Sequence, residues 1–289
     1  MINHSWLPVG DIKTQSLGDA LQQNSTIMTL YLSWNKIGAK GAQHLANALH
    51  INKTITTLDL KGNTIGHQGA EDLANALQVN KTLTTLELGG NEIGTKGAQA
   101  LANALRINKT LTSLNLYSNA IGDQGAEDLG NALQINETLT TLTLYGIQIG
   151  AKGAQDLGNA LQINEVTKIL VLPPLQVISS FTQTLTTLDL AFNQISDEGA
   201  QDLAYALQIN KVTPSFTQTL TTLDLAVNDI GGQGAQDLGN ALQINKTLTT
   251  LYLVTNEIGD EGAQVLANAL QFNKVTTIFV LVLSLHVTS

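Results

Sequence analysis

The side chains of this 289-residue chain that could do chemistry are thinly spread. Its histidines, His4, His44, His50, His67 and His286, show no metal-ligand spacing, and without a cysteine neither a thiolate site nor a disulfide framework can form. Glycines such as Gly232 and Gly234 recur as turn residues in unit after unit. No Gly-x-Gly-x-x-Gly loop follows a strand in the register that cradles a phosphate. We therefore expect no catalytic residue, no cofactor and no metal. The carboxylates Glu71, Asp72, Glu127, Asp128, Asp156, Asp202 and Asp237 fall in helical segments and read as a solvated outer face.

Recognition chemistry is better represented. One position, between two leucines of a recurring Leu-x-Leu, reads Tyr31, Asp59, Glu87, Asn115, Thr143, Asp189, Asp224 and Tyr252. Strand side chains alternate between faces, so this residue points away from the leucines. Two or three residues further on, Trp34, Lys61, Tyr117, Tyr145 and Phe192 join the same surface. Acids against a single lysine, with aromatics interspersed, make a plausible protein-binding face.

These side chains are positioned by a repeat. The pattern Leu-x-x-Leu-x-Leu-x-x-Asn starts at Ile27, Ile55, Leu83, Leu111 and Leu139, each 28 residues after the last, and returns at Leu185, Leu220 and Leu248. Within Leu83-Thr84-Thr85-Leu86-Glu87-Leu88 the spacing and the β-branched threonines predict a short strand with one buried face. The stretch from Gly97 to Leu105 repeats its apolar residues at three and four and is rich in alanine, which predicts a helix. One such unit cannot bury its leucines alone, so the units must stack. Asparagines 35, 63, 91, 119, 193, 228 and 256 fit a structural ladder at the strand ends. Ile147 breaks that row, and a looser turn is expected there. Sequons recur at Asn24, Asn52, Asn80, Asn108, Asn136 and Asn245, at the repeat period. They read as the joint between one helix and the next strand, not as glycan acceptors.

Units such as Leu-Thr-Thr-Leu-Asp-Leu, Asn-x-Ile-Gly and Leu-Ala-Asn-Ala-Leu resemble the ribonuclease-inhibitor class of leucine-rich repeats, over roughly Val9 to Lys274. NOD-like receptors and Ran GTPase-activating proteins carry similar repeats. The resemblance implies an α/β solenoid, a horseshoe with a concave parallel β-sheet and convex α-helices. From strand alternation and the acidic, aromatic composition of the open face, the expected role is protein binding, with Tyr31, Trp34, Asp59, Glu87, Asn115, Tyr117, Tyr145, Asp189, Phe192, Asp224 and Tyr252 as the contact set. A GTPase-activating protein of the Ran type is the alternative. The acidic tail expected of that type is missing from Leu283-Ser284-Leu285-His286.

Composition narrows the partner. A formal charge of −9 with Arg106 as the only arginine argues against nucleic acid and for a protein with a basic patch, and it leaves the oligomeric state open. Met1 to Ile12 has no secretory pattern, and Ile278 to Leu285 falls far short of the ~20 residues of a membrane span. A cytoplasmic protein, not membrane-bound, is expected.

We read residues 1–289 as a single domain: an incomplete first unit at 9–26, regular units at 27–165 and 184–274, insertions at 166–183 and 212–218, and an irregular apolar tail at 275–289. Removing 166–183 and 212–218 restores the 28-residue period. Both inserts open with Val after Asn-Glu or Asn-Lys and close with Gln, and the tail departs at the same repeat position with Val275. Two readings stand: loop insertions, which such arrays tolerate, or translated introns in a product with no function in this form. The segments 166–171 and 275–280 carry strand-like composition, the latter suited to a last strand covering the open end.

Overall fold

The computed structural model describes residues 2–3, 9–166, 184–208, 220–271 and 277–279. Its contacts divide the chain into two compact units, Met1–Ile147 and Gln148–Ser289.

In the first unit a two-residue strand β1 (Ile2–Asn3) precedes α1 (Gly10–Gln23). Strands and helices then alternate: β2 (Thr29–Tyr31), α2 (Ala39–Ile51), β3 (Thr57–Asp59), α3 (Gly66–Val79), β4 (Thr85–Glu87), α4 (Gly94–Leu105), β5 (Ser113–Asn115), α5 (Gly122–Leu133) and β6 (Thr141–Thr143). The second unit holds α6 (Ala151–Val166), β7 (Thr187–Asp189), α7 (Asp197–Gln208), β8 (Thr222–Asp224), α8 (Gly232–Ile244), β9 (Thr250–Tyr252), α9 (Gly259–Leu270) and β10 (Thr277–Phe279).

Within each unit neighbouring strands pair in parallel with no slip, so equivalent residues of successive repeats stand side by side. Tyr31, Asp59, Glu87, Asn115 and Thr143 form one such row, and Asp189, Asp224 and Tyr252 another. The register is fixed because one residue of slip would turn every leucine out of the core. Leu58, Leu86, Leu114, Leu188, Leu223 and Leu251 are all buried between sheet and helices. Each helix turns its small and apolar residues inward; in α4 these are Gly97, Ala98, Leu101, Ala102, Ala104 and Leu105. Glycine at 97 lets α4 lie close on α3, since a Cβ there would run into Ile93 and stand 3.0 Å from Ala70 Cβ.

The expected asparagine ladder is present. Asn63 Oδ1 accepts the backbone N–H groups of Asn35 (2.9 Å) and Ile37 (3.0 Å), while its Nδ2 donates to Leu60 O (2.8 Å) and Leu32 O (3.0 Å). Asn119 serves Asn91 and Ile93 in the same way, and Asn228 serves Ile195 in the second unit. At the break, Ile147 is fully buried, and its carbonyl accepts the Gly122 N–H at 2.9 Å, as Asn119 accepts that of Gly94. The turn keeps its backbone bond and lacks only the amide rung, a smaller change than the looser turn expected.

The sequon asparagines form a second ladder. Asn52, Asn80, Asn108, Asn136 and Asn245 are 0–4% exposed. Asn108 Nδ2 donates to Leu77 O at 2.7 Å, and its Oδ1 accepts Leu111 N–H at 2.7 Å and Thr110 N–H at 2.9 Å. In these five the nitrogen a glycan would need is committed to a buried bond.

Two helix starts are closed by the preceding repeat. Asp11 Oδ1 accepts from Gly38 N (2.7 Å) and Gly41 N (3.0 Å), and Asp197 Oδ1 from Gly231 N (2.7 Å) and Gly234 N (2.8 Å). A carboxylate at a helix N-terminus satisfies orphan donors and complements the dipole.

The first inserted residue, Val166, is the last of α6. The rest of 166–183 and all of 212–218 lie outside the described residues. In the tail, β10 pairs with β9 as the expected terminal strand, and the remaining tail residues lie outside the described set.

Candidate interaction face

The open face of each sheet, opposite the helices, carries the residues singled out from the sequence. The two units hold different arrangements there.

In the first unit the register sets Asp59 directly beside Glu87. Two acids on adjacent strands repel unless a cation joins them. Lys61 does so: its Nζ lies 3.7 Å from Asp59 Oδ2 and 3.5 Å from Glu87 Oε2. Asp59, only 7% exposed, also accepts the Lys61 N–H through Oδ1 at 3.0 Å. Asn115 Nδ2 donates to Glu87 Oε2 at 2.9 Å and Asn115 Oδ1 accepts the Tyr117 N–H at 3.0 Å. Polar groups on this part of the face thus answer one another.

Aromatic rings extend it. Tyr117 and Tyr145 meet edge to face, with ring centroids 6.4 Å apart and planes at 78°, an arrangement that ring quadrupoles favour. Trp34 lies across Gly62 and Tyr117 across Gly89, so closely that a Cβ on either glycine would fall within the ring above it. Trp34 and Tyr117 are evident from the sequence, whereas their glycine seats are not, because each lies in a neighbouring repeat. Tyr31 is half-buried at the head of the row, beside Asp59.

In the second unit Asp189 stands beside Asp224, and Asp224 beside Tyr252. The positions equivalent to Lys61 are Ala191 and Ala226. Among the described residues no Lys or Arg is within ion-pair distance of either aspartate. Each accepts one backbone bond, from Ala191 N at 3.0 Å and from Ala226 N at 2.9 Å. Burial pushes the Asp189 carboxyl above its ordinary range; the Ala191 bond opposes this and the charge of Asp224 adds to it. Burial likewise raises Asp224 against the Ala226 bond. Phe192 is 51% exposed beside this pair in sequence, and Tyr252 is half-buried.

The helical carboxylates differ from the expected solvated face. Glu71 is exposed, but Asp72, Asp128, Asp156, Asp202 and Asp237 are half-buried, and Asp128 Oδ2 and Asp156 Oδ2 are buried without a hydrogen-bond partner. Burial, reinforced by neighbouring Glu71 and Glu127, raises the Asp72 and Asp128 carboxyls. Gln99 on α4 stands near Asp128 on α5, and Gln155 on α6 near Asp202 on α7, each opposing the rise. These acids belong to helix–helix seams, which a reading of one helix at a time does not reveal.

Among the described residues no three His, Asp or Glu side chains converge as metal ligands, and no helix is long and apolar enough to cross a membrane.

This stacked strand-and-helix unit agrees with what the comparisons find. The chain matches the family described as Leucine Rich repeat over residues 23–46, 52–74, 79–102, 108–130, 182–204, 217–239 and 245–267, and it belongs to that family. Its 28-residue unit is of the ribonuclease-inhibitor type. No curated protein matches the sequence. Among solved structures, yeast Rad7 in complex with Elc1 is similar at a TM-score of 0.52 and 16% identity, over 94% of this chain and 58% of that one. Leiomodin-1 actin-binding site 2 aligns at 0.46 with 22% identity, over 55% of this chain and 91% of that one. The tropomodulin C-terminal domain of Caenorhabditis elegans aligns at 0.45 with 16% identity, over 54% and 96%.

Proposed function

We propose that this chain is a protein-interaction scaffold, not an enzyme, and that the open sheet face of its second unit receives a basic side chain of a partner protein. The repeat family supports the scaffold role. One observation carries the rest. The first unit joins its facing acids with Lys61, whereas the equivalent positions beside Asp189 and Asp224 hold alanines. A lysine or arginine supplied from outside would do for Asp189 and Asp224 what Lys61 does for Asp59 and Glu87. Phe192 and Tyr252 supply the aromatic contact area that anchors an interface and can stack on a cation.

Affinity capture with the full chain, followed by mass spectrometry of what is retained, tests this reading. The retained protein should associate more slowly as salt rises. Asp189→Lys with Asp224→Lys should release it, and Glu71→Lys with Glu261→Lys at exposed helical positions should not. Retention that ignores the sheet-face reversals and follows the helical ones would overturn the proposal.

A further inference from the structure

A second surface stands at the other end of the repeat, where each helix of the first unit hands over to the next strand. The residue just before each ladder asparagine is Ile51, Val79, Ile107 and Ile135, and these are 54%, 53%, 51% and 48% exposed. They are in register. Asn80 Nδ2 donates to Asn52 O (3.3 Å), Asn108 Nδ2 to Asn80 O (3.4 Å) and Asn136 Nδ2 to Asn108 O (3.3 Å), so successive turns are tied directly to one another. The result is an in-register row of exposed aliphatic side chains along one edge of the first unit. A solitary exposed isoleucine needs no explanation, whereas a contiguous run of apolar side chains marks a contact surface.

Charge says what contacts it. Lys53, Lys81 and Lys109 follow the first three aliphatic residues at a fixed offset of two and are all exposed. None of the three has an ion-pair partner among the described residues. The fourth turn ends the series with Glu137. In a chain of formal charge −9 this edge is a local band of positive charge beside an apolar row. Arg106, next to Ile107, acts on Asp128 and is not counted with it.

We propose that this edge of the first unit binds an acidic, aliphatic peptide segment of a partner protein. Its Leu, Ile or Val side chains would cover Ile51, Val79 and Ile107, and its Asp or Glu side chains would meet Lys53, Lys81 and Lys109. Long aliphatic stems let the lysines lie beside the apolar row while their ammonium groups reach the acids. The surface is separate from the sheet face and does not depend on how that face functions.

The test pans the full chain with a random peptide library displayed on phage, against two variants whose altered side chains are all solvent-exposed. One is Lys53→Glu/Lys81→Glu/Lys109→Glu; the other is Val79→Ser/Ile107→Ser. Circular dichroism of both should match the parent. Enriched peptides should interleave acids with Leu, Ile or Val and bind each variant at least about tenfold more weakly. Acid-to-lysine versions of the same peptides should regain affinity for the charge-reversed variant. Four results would overturn the inference: no enrichment, enrichment indifferent to both variants, variant-sensitive binding to phosphatidylcholine–phosphatidylserine vesicles in place of peptides, or self-association of the parent that the variants abolish.

Discussion

Asn108→Ala measures what the sequon ladder contributes. The side chain is fully buried and makes short bonds to Leu77 O and Leu111 N, both 2.7 Å, with a third to Thr110 N at 2.9 Å. Alanine removes both the donor and the acceptor and leaves the Leu77 carbonyl and the Leu111 N–H buried. Each orphaned buried group costs about 1–3 kcal/mol. The Thr110 N–H is only partly buried and can turn to water. Two groups at the middle of that range put the loss at about 4 kcal/mol, and a water entering the vacated volume would lower it to about 2. Asn103→Ala is the control: that asparagine is exposed within α4, where alanine is the better helix former, so stability should hold or rise by up to ~0.5 kcal/mol. Urea unfolding followed by circular dichroism gives both differences. Native-state hydrogen exchange localises the first, because the Leu111 amide should exchange about a hundredfold faster or more. A loss below about 1 kcal/mol at Asn108, or an equal loss at Asn103, would refute the view that this ladder holds the repeats together.

Three further outcomes follow from the same structure. Lys61→Met leaves Asp59 and Glu87 side by side without a counter-ion, so it should cost about 1 kcal/mol in dilute buffer; unfolding in high salt should show the deficit shrink as the repulsion is screened. Thr255→Gly relieves a β-branched residue at φ +58°, on an exposed turn, and urea unfolding should show a gain of about 0.5–1 kcal/mol, the αL cost less the added freedom of the unfolded glycine. Asp189→Asn should stabilise the chain at neutral pH and flatten its pH dependence. A carboxyl raised in the folded state holds its proton there when the unfolded chain has lost it. Its contribution is therefore most favourable below the unfolded value and is lost as pH rises through the raised folded value, which melting temperatures from mildly acid to neutral pH would record.

How much of this was legible in the sequence depends on how far apart the interacting residues are. The leucine spacing and the 28-residue period give strands, helices and core directly, because each is local and recurs. Leu86 and Leu114 are where the pattern puts them, 0% and 1% exposed. The asparagine row at 35, 63, 91 and 119 was readable for the same reason. What stayed hidden links one repeat to the next through a single residue pair. Asp11 closing the start of α2, Asp197 closing that of α8, and Trp34 seated on Gly62 each need the stacking distance as well as the sequence. The two residues of β1 were also missed: a strand that short has no period, and its pairing with β2 is its only signal. On the candidate face the side chains were identified by alternation alone, whereas the role of Lys61 depends on its reach across strands.

The two acid pairs then show what variation a repeat scaffold permits. Strand leucines and both asparagine ladders do the stabilising, and they occupy fixed positions in each unit. The positions that face away from the core contribute little to stacking, so they can differ from repeat to repeat at small cost. At the step after the acid, the first unit has Lys61 and the second Ala191 or Ala226, with the backbone bond to the preceding aspartate kept in all three: Lys61 N to Asp59 at 3.0 Å, Ala191 N to Asp189 at 3.0 Å, Ala226 N to Asp224 at 2.9 Å. The same backbone bond therefore restrains the aspartate whether or not a cation answers it. A carboxylate pre-positioned by its own turn loses little freedom when a partner's ammonium arrives, and that lowers the cost of binding. On the proposed function, the second unit's face would take an external cation beside the same local bond that, in the first unit, supports an internal one.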